Sequence, residues 1–230
     1  MPDDIKEWYK LIGEKSAEGK KMSKDYKRHR ILPASLICMI GGSGAGKTTA
    51  LVDLLDRYGS KFYKVMIYSG SGYGEPLYQY LGKQIEGVEM YDTLEEMPFL
   101  KDIDDDPTQE KIIIFDDFIN SNNKEMKKIS DYFIAGRKRG FTVVCLSQNY
   151  TSIPKTITRN ANYFMIFKLN DRTSLNTIIK NHNIHDLDIN EFKDMYNYAT
   201  KKKGDFLLLD LKGGDKKWSI RHNFLDPLLY

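Results

Sequence analysis

Residues Gly41 to Thr48 read GGSGAGKT and fit the pattern G-x-x-x-x-G-K-[ST] without a mismatch. Such spacing suits a chain of phosphates. Backbone N–H groups can wrap an anion only where the backbone comes very close, and the loop must pass through positive φ at several points. Glycine meets both demands. A helix beginning near Lys47 would point the positive end of its dipole at the same anion. The expected binding residues are Gly41, Gly42, Ser43, Gly44, Ala45, Gly46, Lys47, Thr48 and Thr49. Lys47 would reach the β- and γ-phosphates, and the Thr48 hydroxyl would ligate Mg²⁺.

A second set of groups lies downstream. The stretch IIIFDDF (Ile112 to Phe118) carries a buried strand to its C-terminal end, where ligands collect in open parallel sheets. Asp116 is expected to hold Mg²⁺, from a strand adjacent to the phosphate loop, with Asp117 aimed at an attacking water. A cation offsets the repulsion between two neighbouring carboxylates. The stretch VVCLSQN ends in Ser147 and Gln148. If its strand adjoins the loop's strand, Gln148 projects beside the γ-phosphate. Other segments read as ordinary surface. SGSGYG (Ser69 to Gly74) lacks the lysine and is expected to be a flexible turn, and DIDDD (Asp102 to Asp106) a surface loop. No N-K-x-D element for reading guanine is present.

These residues need strands and helices to hold them. Five nearly continuous apolar runs recur: 35–40, 64–69, 111–115, 141–147 and 162–169. Strands buried on both faces read this way. Between the first two runs, Leu51, Leu54, Leu55 and Tyr58 fall at helical spacing and Gly59 stops the helix. Met126, Ile129 and Phe133 predict another helix within 122–135. Further helices are expected at about 171–181 and 188–200, then an antiparallel pair, DFLLLDL and KWSIRH, around the turn KGGDK. Alternation of this kind predicts an α/β fold. Residues 1–30, ending in KRHR, read as a basic N-terminal arm, and 31–230 as one phosphate-loop domain that includes the C-terminal helices and hairpin.

The bulk numbers agree. The 230 residues are 41% apolar with a net charge of +3, which is a core-forming and only mildly basic composition. Cys38 and Cys145 each sit inside an apolar run and are expected to be buried thiols rather than a disulfide or metal pair. No run approaches 18 apolar residues and the N-terminus is charged, so no membrane span and an intracellular location are expected.

The block AGRKRGFTVVCLSQNYTSIPKTITRNANYFMIFKL resembles the FtsK–HerA superfamily of DNA-pumping ATPases, and within it the poxvirus-type genome-packaging ATPases of large DNA viruses, virophages included. The resemblance extends over about 31–211 and includes EPLYQYL and DFLLLDL. It implies a P-loop NTPase of the ASCE type, with a mostly parallel sheet, helices on both faces and a small antiparallel C-terminal addition. It places Lys47 and Thr48 on Walker A, Asp116 on Walker B, Asp117 on the neighbouring acid (glutamate in many relatives) and Gln148 on the sensor glutamine. Arg137 falls on an arginine proposed as a trans-acting finger, with Arg139 and Arg159 as rivals. The implied cofactors are ATP and Mg²⁺. The implied partners are double-stranded DNA, a homo-oligomeric ring (hexamer or pentamer) and a capsid or portal protein, and the implied site is the host cytoplasm, a viral factory or the virion. No nuclease domain is read after the ATPase. Cations for DNA would come from GRKRG, from KKK (Lys201 to Lys203) or from KRHR. A small-molecule or nucleoside kinase using the same loop is the alternative, and a nucleotide-controlled switch the weakest reading.

Overall fold

The computed structural model describes residues 25–59, 62–70, 74–85, 87–103, 106, 108–118, 122–182, 184, 187–212 and 215–229. The five apolar runs become β1 (Leu36–Ile40), β2 (Lys64–Ser69), β4 (Lys111–Asp116), β5 (Phe141–Ser147) and β6 (Tyr163–Ile166). One short strand, β3 (Val88–Tyr91), was not expected: its four half-buried residues form no apolar run. The C-terminal strands are β7 (Leu207–Asp210), β8 (Ile220–His222) and β9 (Asp226–Pro227). All nine form one sheet in the order β3-β2-β4-β5-β1-β6-β7-β8-β9. From β3 to β6 the pairs are parallel, and from β6 to β9 antiparallel. The predicted parallel sheet with an antiparallel C-terminal addition is therefore present.

Alternate strand residues fill two cores, and this is why the runs are continuous. Leu36, Cys38, Ile40, Ile113, Phe115, Val143 and Cys145 face one side. There they meet α4 (Asn123–Ala135), α5 (Lys155–Asn160), α6 (Arg172–Asn181) and α7 (Ile189–Ala199). Ile37, Met39, Ile112, Ile114, Val144 and Leu146 face the other side, against α2 (Lys47–Tyr58) and α3 (Pro76–Gln84). The first helix, α1 (Tyr26–His29), is a single turn. Cys38 and Cys145 are buried free thiols opposite one another on β1 and β5.

Local signals set the helix limits. Gly59 ends α2 at φ 68°, its N–H on the Asp56 carbonyl. Capping boxes start α4 (Asn122 with Glu125) and α7 (Asp188 with Glu191), satisfying end N–H groups reciprocally. Glu75 caps α3 and Pro76 opens it.

The strand order corrects one expectation. Asp116 does not come from a strand adjacent to the loop's strand, because β5 lies between β4 and β1. The intervening strand is the one that ends in Ser147, so it is Gln148 that follows the loop's immediate neighbour. Residues 25–30 pack on the domain: His29 is buried, Arg28 pairs with Asp56 at 2.9 Å, and the Arg30 guanidinium lies 3.4 Å from the Trp218 ring centroid. The fully buried Arg221 donates to the carbonyls of His29 and Phe224 at 3.2 and 3.0 Å. A buried guanidinium must find acceptors, and the N-terminal segment supplies the carbonyls of His29 and Arg30. Residues 1–24 of the predicted arm lie outside the described residues, as do parts of SGSGYG, DIDDD and KGGDK.

Candidate nucleotide site

The loop from Gly41 to Gly46 leaves β1 and turns into α2. Its four glycines are needed for different reasons. Gly41 and Gly42 are buried beneath the loop. A Cβ at Gly41 would lie 2.5 Å from the Cβ of Phe167, and one at Gly42 would lie 2.5 Å from the Asn170 side chain. Their N–H groups are taken by the carbonyls of Ser147 and Lys168, at 3.1 and 2.9 Å. This corrects the expectation that both cradle phosphate: they fasten the loop to the strand ends of β5 and β6. Gly44 and Gly46 sit at φ 69° and 101°, where other residues are strained. Gly44 has open space beside it. Gly46 is backed by Gly204, whose N–H reaches the Ala45 carbonyl at 3.2 Å and whose Cα would be 2.7 Å from an added Cβ.

Ser43, Gly44, Ala45, Gly46, Lys47, Thr48 and Thr49 line a cleft of about 370 Å³, together with Asp116, Asp117, Ser147 and Gln148. Residues dispersed over more than 100 positions of sequence thus converge on one concavity. Lys47 Nζ donates to the carbonyls of Gly41 and Gly42 at 2.7 and 3.2 Å, so the ammonium rests on its own loop. Burial lowers its pKa, while Asp116 and Asp117 act against that shift. Asp116 is displaced the other way: burial raises its pKa, despite the Tyr78 hydroxyl, which donates to Oδ2 at 2.7 Å, and the charge of Lys47.

A buried carboxyl of this kind is stabilised in its ionised form by a cation. Thr48 and Asp116 also present hard oxygen donors, the class magnesium selects. The residues therefore fit Mg²⁺, which Thr48 and Asp116 would hold. Asp117 is exposed, at φ 62°. Gln148 is exposed at the end of β5. Ser147, just before it, is buried, and its Oγ donates to the Asn149 carbonyl at 2.8 Å.

Several residues at the cleft were missed in the sequence. Glu75 and Leu77 line it from the start of α3, with Tyr78 buried behind them and its hydroxyl on Asp116; Glu75 reads as a cap and Tyr78 as an ordinary core aromatic. Lys203 lines the cleft from the turn after α7. It was noted only as part of a lysine run. Lys168, Lys201, Lys202 and Lys203 also border a hollow of about 500 Å³ on the far side of the loop.

The candidate finger residues are not at the cleft. Arg137 and Arg139 precede β5, at the end of the sheet away from the loop. Six strand steps of about 3.3 Å put them roughly 20 Å from the nucleotide end. Arg139 Nη1 donates to the Ile103 carbonyl at 2.6 Å, whereas Arg137 is half-buried. Arg159 is exposed in the last turn of α5, just before β6 and hence at the same far end. Of the KRHR cations, Arg28 and Arg30 are engaged in the packing described above, which excludes them as a free pore-facing cluster.

No curated protein sequence matches the chain. Among solved structures, the sulfate complex of the genome packaging NTPase B204 from Sulfolobus turreted icosahedral virus 2 is 17% identical, with a TM-score of 0.57, covering 86% of this chain and 99% of that one. The cytoplasmic domain of EssC is 17% identical with a TM-score of 0.54, covering 67% of this chain. This chain spans 35% of EssC's length. The pCW3 conjugation coupling protein TcpA, as a monomer with ATPγS, is 12% identical with a TM-score of 0.56, covering 84% of this chain and 61% of that one. These likenesses establish a shared P-loop NTPase fold. The profile of the family described as Poxvirus A32 protein matches residues 23–210, most of the chain. The protein accordingly belongs to the family described as Poxvirus A32 protein, and its fold is that of a P-loop NTPase.

Proposed function

We propose that the protein is an ATP-driven motor that moves double-stranded DNA into a preformed capsid, working as a homo-oligomeric ring. The observation that carries this is the convergence of the loop, Asp116, Asp117 and Gln148 on one cleft, in a chain of the A32 family. The N–H groups from Gly44 to Thr49 would cradle the phosphates of ATP, and Lys47 would leave the carbonyls of Gly41 and Gly42 for the β- and γ-oxygens. Thr48 and Asp116 would hold Mg²⁺, which supplies charge neutralisation at the phosphates. Asp117 and Gln148 would orient the attacking water, with Asp117 accepting its proton. Water attack at the γ-phosphorus breaks the bond to the β,γ-bridging oxygen and releases phosphate and ADP.

Arg137 cannot reach the cleft of its own chain, so a role at a nucleotide site requires a neighbouring copy. Stabilisation of γ-phosphate charge by such a guanidinium is an electrostatic effect. Lys138 and Lys201 to Lys203 are exposed and would meet DNA phosphates without regard to sequence. The N-terminal segment, residues 1–30 ending in KRHR, would serve as the arm that meets DNA or a capsid or portal protein.

The test is phosphate release with and without double-stranded DNA. The wild type is expected to hydrolyse ATP faster with DNA, and Lys47→Ala to lose both rates. A purified oligomer with no hydrolysis in either condition would overturn the motor. Transfer of phosphate to a small acceptor rather than to water would favour the kinase reading.

A further inference from the structure

Tyr78 is 1% exposed, in the first turn of α3. As packing alone, its ring needs no hydroxyl: Leu81 and the α2 residues Leu54 and Leu55 share the same apolar core. A buried hydroxyl must find partners, and a backbone carbonyl would serve. Here the partner is instead the carboxylate that fits magnesium. The hydroxyl donates to Asp116 Oδ2 at 2.7 Å.

We propose that Tyr78 is a positioning residue of the metal–nucleotide site, its hydroxyl holding Asp116 through Oδ2 so that Oδ1 is presented to the cleft. The inference rests on the nucleotide reading above. The proton count works in its favour. Tyr78 has one proton, and giving it to Oδ2 leaves Oδ1 of Asp116 for the cleft. The carboxylate is thereby oriented before a cation arrives, and the end of β4 is tied to α3. Partners that orient metal ligands typically contribute about 10–100-fold in metal affinity.

The experiment measures ATPγS binding to the full chain, once with Mg²⁺ and once with chelator. The readout is the ratio of the two affinities. Tyr78→Phe is expected to reduce that ratio by about tenfold or more while changing the chelator affinity by less than about twofold. Asp116→Asn is expected to lose most of the Mg²⁺-dependent gain, and adding Tyr78→Phe to it to lose little more, since the two act as one unit. A Tyr78→Phe protein that keeps the full ratio overturns the inference. So does one that loses affinity equally in both conditions, because that is the mark of a purely structural role. Wild type that fails to bind ATPγS in either condition overturns the nucleotide reading itself and carries this inference down with it.

Discussion

Two walls face each other across the cleft. One is the loop from Ser43 to Thr49, seven consecutive residues whose chemistry is carried by the backbone. The other is the start of α3, where the cap Glu75 reaches the cleft and Tyr78, buried behind it, reaches Asp116. The first wall demands an unusual backbone, and an unusual backbone demands glycine at Gly44 and Gly46. The second demands only that an aromatic and an acid face the right way, and ordinary helices contain both. Function built on conformation leaves a mark in sequence, whereas function built on orientation leaves one only in space.

The comparison can be broken most forcefully at the first wall. Lys47→Ala should cut ATP hydrolysis by on the order of 10³-fold, toward the upper end for loss of a preorganised charge. If Tyr78→Phe proved as damaging, the walls would not differ in kind. Arg137→Ala should cost about 10²-fold in the assembled protein while leaving ATPγS affinity of the isolated chain unchanged. Mixing Arg137→Ala with Lys47→Ala subunits should restore part of the activity if the guanidinium works across an interface. Steady-state phosphate release at fixed total protein measures this.

Within the loop, Gly46→Ala should destabilise the fold more than Gly44→Ala. Both place a Cβ at positive φ, at about 1–2 kcal/mol, but only at Gly46 does the new atom strike backbone, at Gly204. Urea unfolding of the two variants compares them.

The smallest effect should appear at Asp205, next to Gly204. Burial raises its pKa, but hydrogen bonds from Asn223 and His222 outweigh this and hold it below the ordinary value. A depressed carboxyl stabilises the fold above its unfolded pKa, and that contribution is lost as pH falls through the folded pKa. Asp205→Asn should therefore flatten the acid side of the stability curve, and at neutral pH it should cost well under about 1 kcal/mol because solvent screens the group.

Much of the fold was legible because the buried strands are uninterrupted and the helices are periodic. The limits of α2 at Lys47 and Tyr58 follow from the glycines on either side. β3 was not legible, since Val88 to Tyr91 form a half-buried edge with no apolar run. Strand order was not legible either, as nothing in the apolar runs says that β5 threads between β1 and β4. The reasons for Gly41 and Gly42 were misread for a related cause. Their close neighbours, Phe167 and Asn170, lie more than 120 residues away and come near only through β6. The engaged state of Arg28 and Arg30 was hidden because a cation run looks solvated until its partners, Asp56 and Trp218, are placed beside it.

Helix α2 starts at the phosphate loop and, twelve residues or about 18 Å later, ends where Asp56 holds Arg28 and Arg57 Nη1 reaches the Arg28 carbonyl at 2.7 Å. It is thus a strut with the nucleotide at its head and the incoming chain bolted to its foot. A tether pulling through the residues before Asp25 would load that foot, and the strut would deliver the force to Lys47 and Thr48 rather than to the sheet's outer edge.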